Sequence, residues 1–243
     1  MDVSVDSLPE LTPEYRQAQI QAVQEAKVVY QFEVVKVPPT DYGAIIIWLA
    51  TASFILWIGS QLGWIGIIAF SLFVFALSSY YYYAGNPDTQ QTVTLTEKGM
   101  IVTDLTLVPD ACFAALRYSG YAGIAISLIG VVLVGPMMFV GAGAGLLMSF
   151  KMAGVVNRPR QRVRPFAPNA SYSIYIVPEG RYKHGLIESQ LLPKIEKAVE
   201  SEEKKVIYRE NRIFYSSYCI ASPEVQEQFL KHLKQLVTLT EEE

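Results

Sequence analysis

The chain has 243 residues, enough for a membrane part and one soluble domain. Apolar residues make up 51% of it and charged residues only 18%, the balance of a chain partly dissolved in lipid. The net charge of −3 is too small to point to nucleic acid, so none is expected as a partner.

Residues 1–42 form the first unit, an N-terminal helix and strand. Thr12-Pro13-Glu14 is a helix start: Thr caps, Pro suits the first helical position, and Glu suits the positive end of the dipole. The helix is predicted to run to about Ala26. Its apolar side is narrow, built from Tyr15 and alanines, and suits packing on protein rather than on a membrane surface. In Val28–Val37 the period changes to two, and Tyr30, Phe32 and Val34 share one side of a strand. No cleavable signal peptide is expected, because Met1–Asp41 has no apolar core.

Residues 43–83 carry no charge and no histidine. The run is about twice the ~20 residues that one crossing needs. Gly59-Ser60-Gln61-Leu62-Gly63 at its centre predicts a turn, hence a membrane hairpin with arms over 44–59 and 64–83. A soluble helix pair would need a polar face, and neither arm has one. Trp48, Trp57, Trp64 and the run Tyr80–Tyr83 suit headgroup depth.

Residues 84–118 are polar again. Gln91–Thr96 and Met100–Val108 alternate around Glu97-Lys98-Gly99, which predicts a soluble β-hairpin. Two strands alone are marginal in water, so further strands are expected on the same side of the membrane.

Residues 119–150 form a second uncharged run. As one straight helix it would be about 48 Å long, against a hydrocarbon core of about 30 Å. Gly135-Pro136 marks its midpoint, so it is either one kinked helix or two short arms of about 22 Å each. A shared compartment for all the strands requires an even number of crossings and favours the second hairpin. Gly141, Gly143 and Gly145 have the small-residue spacing that lets helices approach, within the chain or in an oligomer.

Residues 151–243 are a basic segment followed by an α+β domain. Lys151, Arg158, Arg160, Arg162 and Arg164 follow the second run directly and read as a cytoplasmic topology signal or a contact to anionic lipid headgroups. Ser171–Val177 is an expected strand, Ser189–Glu203 an expected helix with Pro193 in its first turn, and Lys205–Arg209 and Arg212–Ile220 two further strands. Ser222-Pro223-Glu224 starts a last helix, whose Val225, Phe229, Leu233 and Leu236 make an apolar stripe fit to lie on a sheet.

Chemistry-bearing patterns are absent. The two histidines have no metal spacing: His184 falls in an expected solvated turn and His232 on the expected exposed face of the last helix. There is no GxSxG, Walker or dinucleotide-type glycine pattern, and the apolar runs hold no ionisable residue. No enzyme activity, cofactor or metal is therefore expected. Cys112 and Cys219 read as small buried residues, with a disulfide as the alternative.

The order of parts resembles bacterial membrane-anchored pleckstrin-homology-like (PH-like) proteins of the YcxB-like kind. The resemblance rests on the strand-turn-strand Val93–Val102 after a membrane hairpin and on the closing amphipathic helix Pro223–Val237. It implies a split sheet closed by a C-terminal helix, a bacterial inner-membrane location with the soluble parts cytoplasmic, and no catalytic residues. The expected fold is thus an integral membrane protein of helical hairpins plus a cytoplasmic α+β domain. The expected function is a non-enzymatic scaffold whose soluble domain binds a protein partner or a lipid headgroup. Its alternatives are an accessory subunit of a larger membrane complex, homo-oligomeric or not, and a protein that wedges one leaflet.

Overall fold

The computed structural model describes residues 3–135, 138–177, 182–196 and 202–240, with only the backbone for 134, 138–144 and 203. The chain divides into two compact units. One comprises Met1–Pro39, Thr89–Leu105 and Pro159–Glu243; the other comprises Thr40–Asp88 and Thr106–Arg158.

The first unit is α+β with two four-stranded sheets. Helix α1 (Pro13–Gln24) starts where Thr12 Oγ1 accepts the Tyr15 N–H at 3.2 Å. Strand β1 (Val28–Lys36) runs antiparallel to β2 (Thr89–Thr96) from Val28 opposite Thr96 to Lys36 opposite Thr89. Strand β3 (Gly99–Thr106) follows after a two-residue turn, and β4 (Arg160–Pro165) closes the order β1-β2-β3-β4. The period-two pattern decides which side is buried. Phe32, Val93, Leu95, Met100 and Val102 face inward, while Glu33, Gln31 and Val35 face out. Gly99 is fixed by crowding, since a Cβ there would meet Val23 Cγ2 at 2.8 Å and the Pro165 Cα at 2.9 Å.

The second sheet has the order β7-β6-β5-β8, from β5 (Tyr172–Val177), β6 (Ile187–Pro193), β7 (Ser217–Ala221) and β8 (Leu239–Thr240). Helix α6 (Glu202–Tyr215) precedes β7, and α7 (Pro223–Leu236) follows it, capped by Ser222 Oγ at 3.5 Å from the Val225 N–H. Phe229 of α7 meets Phe32 edge-on at 5.9 Å, so one core joins both sheets.

Two expectations change here. Residues 187–193 are the strand β6, not the start of a helix: β6 lies between β5 and β7, buries Glu188, Ser189 and Leu191, and ends at Pro193, where a missing N–H costs little. Conversely, 205–215 is helical rather than two strands. Asn211, Phe214 and Tyr215, at positions i, i+3 and i+4, are buried on one side of α6, which overrides the local alternation. His232 also departs from expectation: its ring is half-buried and stacked on Tyr30 at 4.7 Å. His184 is exposed in a turn with φ 68°, as a solvated turn requires. Cys112 and Cys219 are free and buried.

The other unit is helical. Helices α2 (Tyr42–Gln61) and α3 (Gly63–Ala84) turn at Gly63, whose φ of +73° suits glycine. Below the turn, Gly59 and Gly66 cross so closely that a Cβ on Gly66 would lie 2.5 Å from the Gly59 carbonyl oxygen. At the far end Trp48 Nε1 donates to Ser78 Oγ at 3.2 Å and its ring stacks on Tyr81. Helix α4 (Asp110–Val134) begins nine residues earlier than the uncharged run, because Asp110 and Arg117 are helical too. Its length, about 37 Å, therefore exceeds the arm expected from the apolar residues alone. Gly135 ends it at φ +91°; Pro136 lies outside the described residues. Helix α5 (Met138–Ala153) returns along α4.

The helices α2, α3 and α4 are long and apolar enough to cross a membrane. Their apolar side chains face outward, with Trp64 and Ile65 each 83% exposed. An aqueous protein does not leave that much apolar surface bare. The seam between α4 and α5 uses Gly120 and Gly123 against Ser149 and Ala153: a Cβ on Gly120 would lie 2.6 Å from the Ala153 nitrogen, and one on Gly123 would overlap Ser149 Oγ. By contrast, a Cβ on Gly145 meets nothing within 4 Å.

Gly120→Val, which collides with backbone, is therefore expected to destabilise the detergent-solubilised protein by about 1–3 kcal/mol. Gly145→Ala is expected to leave the melting temperature unchanged. Equal effects of the two substitutions would refute the seam.

Candidate functional site

The inward side of the first sheet changes character along its length. The apolar residues occupy one end. At the other end the inward positions are Lys36 on β1, Gln91 on β2, Asp104 on β3 and Arg162 on β4, one polar residue from each strand. Asp104 is the shared acceptor. Its Oδ1 takes a hydrogen bond from Lys36 Nζ at 2.6 Å and one from Gln91 Nε2 at 2.8 Å, and its Oδ2 pairs with Arg162 Nη2. The Gln91 side chain is fully buried, and its Oε1 accepts the Ile220 N–H of β7 at 2.9 Å. The Tyr218 ring of β7 lies over the Arg162 guanidinium at 4.2 Å.

Burial acts to raise the Asp104 carboxyl pKa. The hydrogen bonds from Lys36 and Gln91 and the charges of Lys36 and Arg162 outweigh it, so the net shift is downward. Removing the carboxylate would leave two cations with side chains only 10% and 21% exposed. Arg162 Nε is buried without a hydrogen-bond acceptor. The carboxylate and the cations of the cluster are engaged with one another, so its chemistry is to hold charge in place. Elsewhere in the core, burial and then the nearby Glu188 carboxylate push the Cys219 thiol up to about 12, so it is not a reactive thiol.

The five expected cations separate. Lys151 lies in the last turn of α5 and Arg158 in the segment after it, both exposed. Arg160, Arg162 and Arg164 alternate along β4 on its inward side, opposite Asp104, Val102 and Met100. Arg162 belongs to the cluster, and Arg164 is half-buried, its pKa lowered first by burial and then by the adjacent Arg162. Of the expected helix-packing glycines, Gly145 has open space around it, and for Gly141 and Gly143 only the backbone is described. Sequence reading missed Lys36, Gln91, Asp104 and Tyr218. Three of these carried a signal: each continues an inward alternation of apolar residues with a polar one, and all at the same end of the sheet.

A helix-bearing α+β protein with a buried polar cluster is the class these features define. The chain belongs to the TsiV2 immunity protein family, whose model matches residues 14–163, from α1 through both helical pairs into β4. It is 38% identical over 85 residues to the immunity protein TsiV2 of Vibrio cholerae serotype O1 (strain ATCC 39315 / El Tor Inaba N16961), a stretch covering 35% of this chain and 34% of that protein. The chain thus matches about a third of the length of that curated relative. No solved structure matches. On family membership the chain is not an enzyme.

This membership overturns the PH-like, YcxB-like resemblance. The arrangement that suggested it is generic: here the strand hairpin that follows the first apolar helix pair belongs to one of two four-stranded sheets, not to one split sheet closed by a helix. The expected functions fall with it. Scaffold with a headgroup-binding domain, accessory subunit and leaflet wedge all give way to membership of the TsiV2 immunity protein family.

Asp104→Asn is expected to cost about 3–5 kcal/mol at neutral pH, because Lys36 and Arg162 stay buried without their counter-charge. The Asp104 pKa is lower in the folded chain than the ordinary value of about 3.9. Its contribution is complete above that ordinary value and is lost as pH falls through the folded one. Thermal unfolding should therefore show a constant gap between wild type and variant from about pH 5 to 8, narrowing only on strong acidification.

Proposed function

We propose that this chain protects the cell that makes it by binding a toxin and neutralising it, and that it works from a membrane. Family membership supports the first part. The observation that carries the second is the outward-facing apolar surface of α2, α3 and α4, which needs lipid around it. The curated relative is named an immunity protein, and an immunity role calls for a protein partner, the toxin itself.

The orientation follows from the ladder. β1 precedes the first helical pair, β2 and β3 separate the two pairs, and β4 follows the second. Strands hydrogen-bonded in one sheet cannot lie on opposite sides of a bilayer. Each pair therefore enters and leaves on the same side, giving four crossings. Helix α5, about 24 Å long, is the shortest of the four. Lys151, Arg158 and Arg160 follow the second pair, and by the positive-inside rule they support a cytoplasmic location for that side in a bacterial inner membrane. The proposed domain plan is 1–42, 43–83, 84–118, 119–150 and 151–243, with the strand-bearing parts of the first, third and fifth segments aqueous and α4 beginning inside the third. Gly141, Gly143 and Gly145 are proposed as packing residues for a second helix rather than for α4, since Gly145 has open space around it.

The deciding experiment is a survival assay. Cells deleted for this chain and mixed with siblings that deliver the toxin should lose viability, and the full chain should restore it. Indifference of the deletion strain to its siblings would refute the immunity role. For orientation, Lys98→Cys and Lys183→Cys should both react with a membrane-impermeant maleimide only in inverted vesicles. Labelling of the two from opposite sides would refute the shared compartment.

A further inference from the structure

Asp104 is the only acid that hydrogen-bonds or ion-pairs with Lys36, Arg160, Arg162 or Arg164 among the described residues. Four cations thus gather on one side of the first sheet around a single carboxylate, in a chain whose net charge is −3. Two of them are incompletely satisfied. Among the described residues the Arg164 side chain, half-buried, has no hydrogen bond or ion pair, and Arg162 keeps a buried Nε without an acceptor. A guanidinium withdrawn from water without an anion is costly, and a neighbouring cation makes it worse. Arg160, beside them, is exposed, and its side chain has no ion pair or hydrogen bond among the described residues.

We propose that Arg160, Arg162 and Arg164, with the Tyr218 ring over Arg162, form the recognition site for an acidic, extended segment of a protein partner. The class of ligand follows from guanidinium chemistry: a planar fork of donors pairs best with carboxylate or phosphate. The repeat selects the carboxylate-bearing peptide. The three arginines alternate along β4, so their Cα atoms recur about every 7 Å over about 14 Å. Alternate side chains of an extended peptide have the same repeat, so Glu or Asp at every second position meets all three. A lone phosphate spans one of them. The identity of the partner as the toxin rests on the function proposed above, whereas the site and its ligand class do not.

The test uses the full chain in detergent at low salt, with a fluorescein-labelled (Glu-Ser)4 peptide as probe and anisotropy as readout. The alternating peptide should bind, and about 0.15 M salt should weaken it substantially, as screening requires. Arg164→Gln and the fully exposed-site variant Arg160→Glu should each weaken binding about tenfold or more. Lys183→Gln, an exposed lysine on the turn before β6, should not. Arg160→Glu keeps the test valid if Arg164→Gln folds poorly. The proposal is overturned if the peptide does not bind, if Lys183→Gln weakens it as much, or if inorganic phosphate or vesicles of anionic lipid bind with the same arginine dependence and displace it. Loss of peptide binding with survival intact would sink the site alone; a failed survival assay with peptide binding intact would sink only the partner's identity.

Discussion

A hydrogen-bonded ladder cannot be divided by hydrocarbon, and this chain interleaves a ladder with two long apolar excursions. β1, β2, β3 and β4 are neighbours in one sheet, yet α2–α3 falls between the first two and α4–α5 between the last two. The backbone pairing thus fixes both ends of each excursion together, whatever the excursion itself does. Short turns at Gly63 and Gly135 are what let each pair come back, since both need a positive φ that other residues adopt only with strain. The apolar helices and the sheet are therefore coupled requirements: without the turns there is no ladder, and without the ladder the polar segments are isolated strands.

The charged cluster sits where that coupling matters. Lys36 is the last residue of β1, Gln91 lies near the start of β2, Asp104 near the end of β3 and Arg162 near the start of β4. These are the strand ends from which the chain leaves for, or returns from, its helices. Apolar packing would hold them too, but without direction. Three donors converging on one carboxylate fix the register of all four strands, because a slip by one residue turns every inward side chain outward. Breaking such a set is more costly than its net worth, since the cations cannot regain water.

Local signals in the sequence survive where they depend on backbone chemistry. Thr12-Pro13-Glu14 and Ser222-Pro223-Glu224 are helix starts in both readings, because capping uses atoms within three residues. The alternations at 28–37 and 91–96 are strands because one side of each is buried, and 171–177 holds a strand paired with β6 and β8. The reading failed where burial is decided from far away. Residues 205–215 alternate locally, yet α6 forms because Asn211, Phe214 and Tyr215 are buried together. Arg162 and Arg164 read as surface cations in a basic tail, since nothing nearby in sequence announces that 160–165 pairs with 99–104. Family membership was illegible for a related reason: the sequence shows long apolar helices, turns and caps, and none of these is chemistry that distinguishes this family from another α+β chain with apolar helices.

The boundary of the family match sharpens the picture of what the remaining residues do. All four strand members of the cluster, Lys36, Gln91, Asp104 and Arg162, fall within the matched residues 14–163. The second sheet, α6 and α7 fall beyond them. Yet β7 supplies the N–H of Ile220 to Gln91 and the ring of Tyr218 to Arg162. A fully buried Gln91 whose Oε1 lost that N–H would be an unsatisfied acceptor, and Arg162 without the ring would lose both packing and cation–π attraction. The C-terminal half of the α+β unit is therefore not an appendage to the matched part. It completes the polar shell of a cluster that the matched part contains but does not satisfy alone, and it covers the apolar end of the same sheet with Phe229 and Leu233.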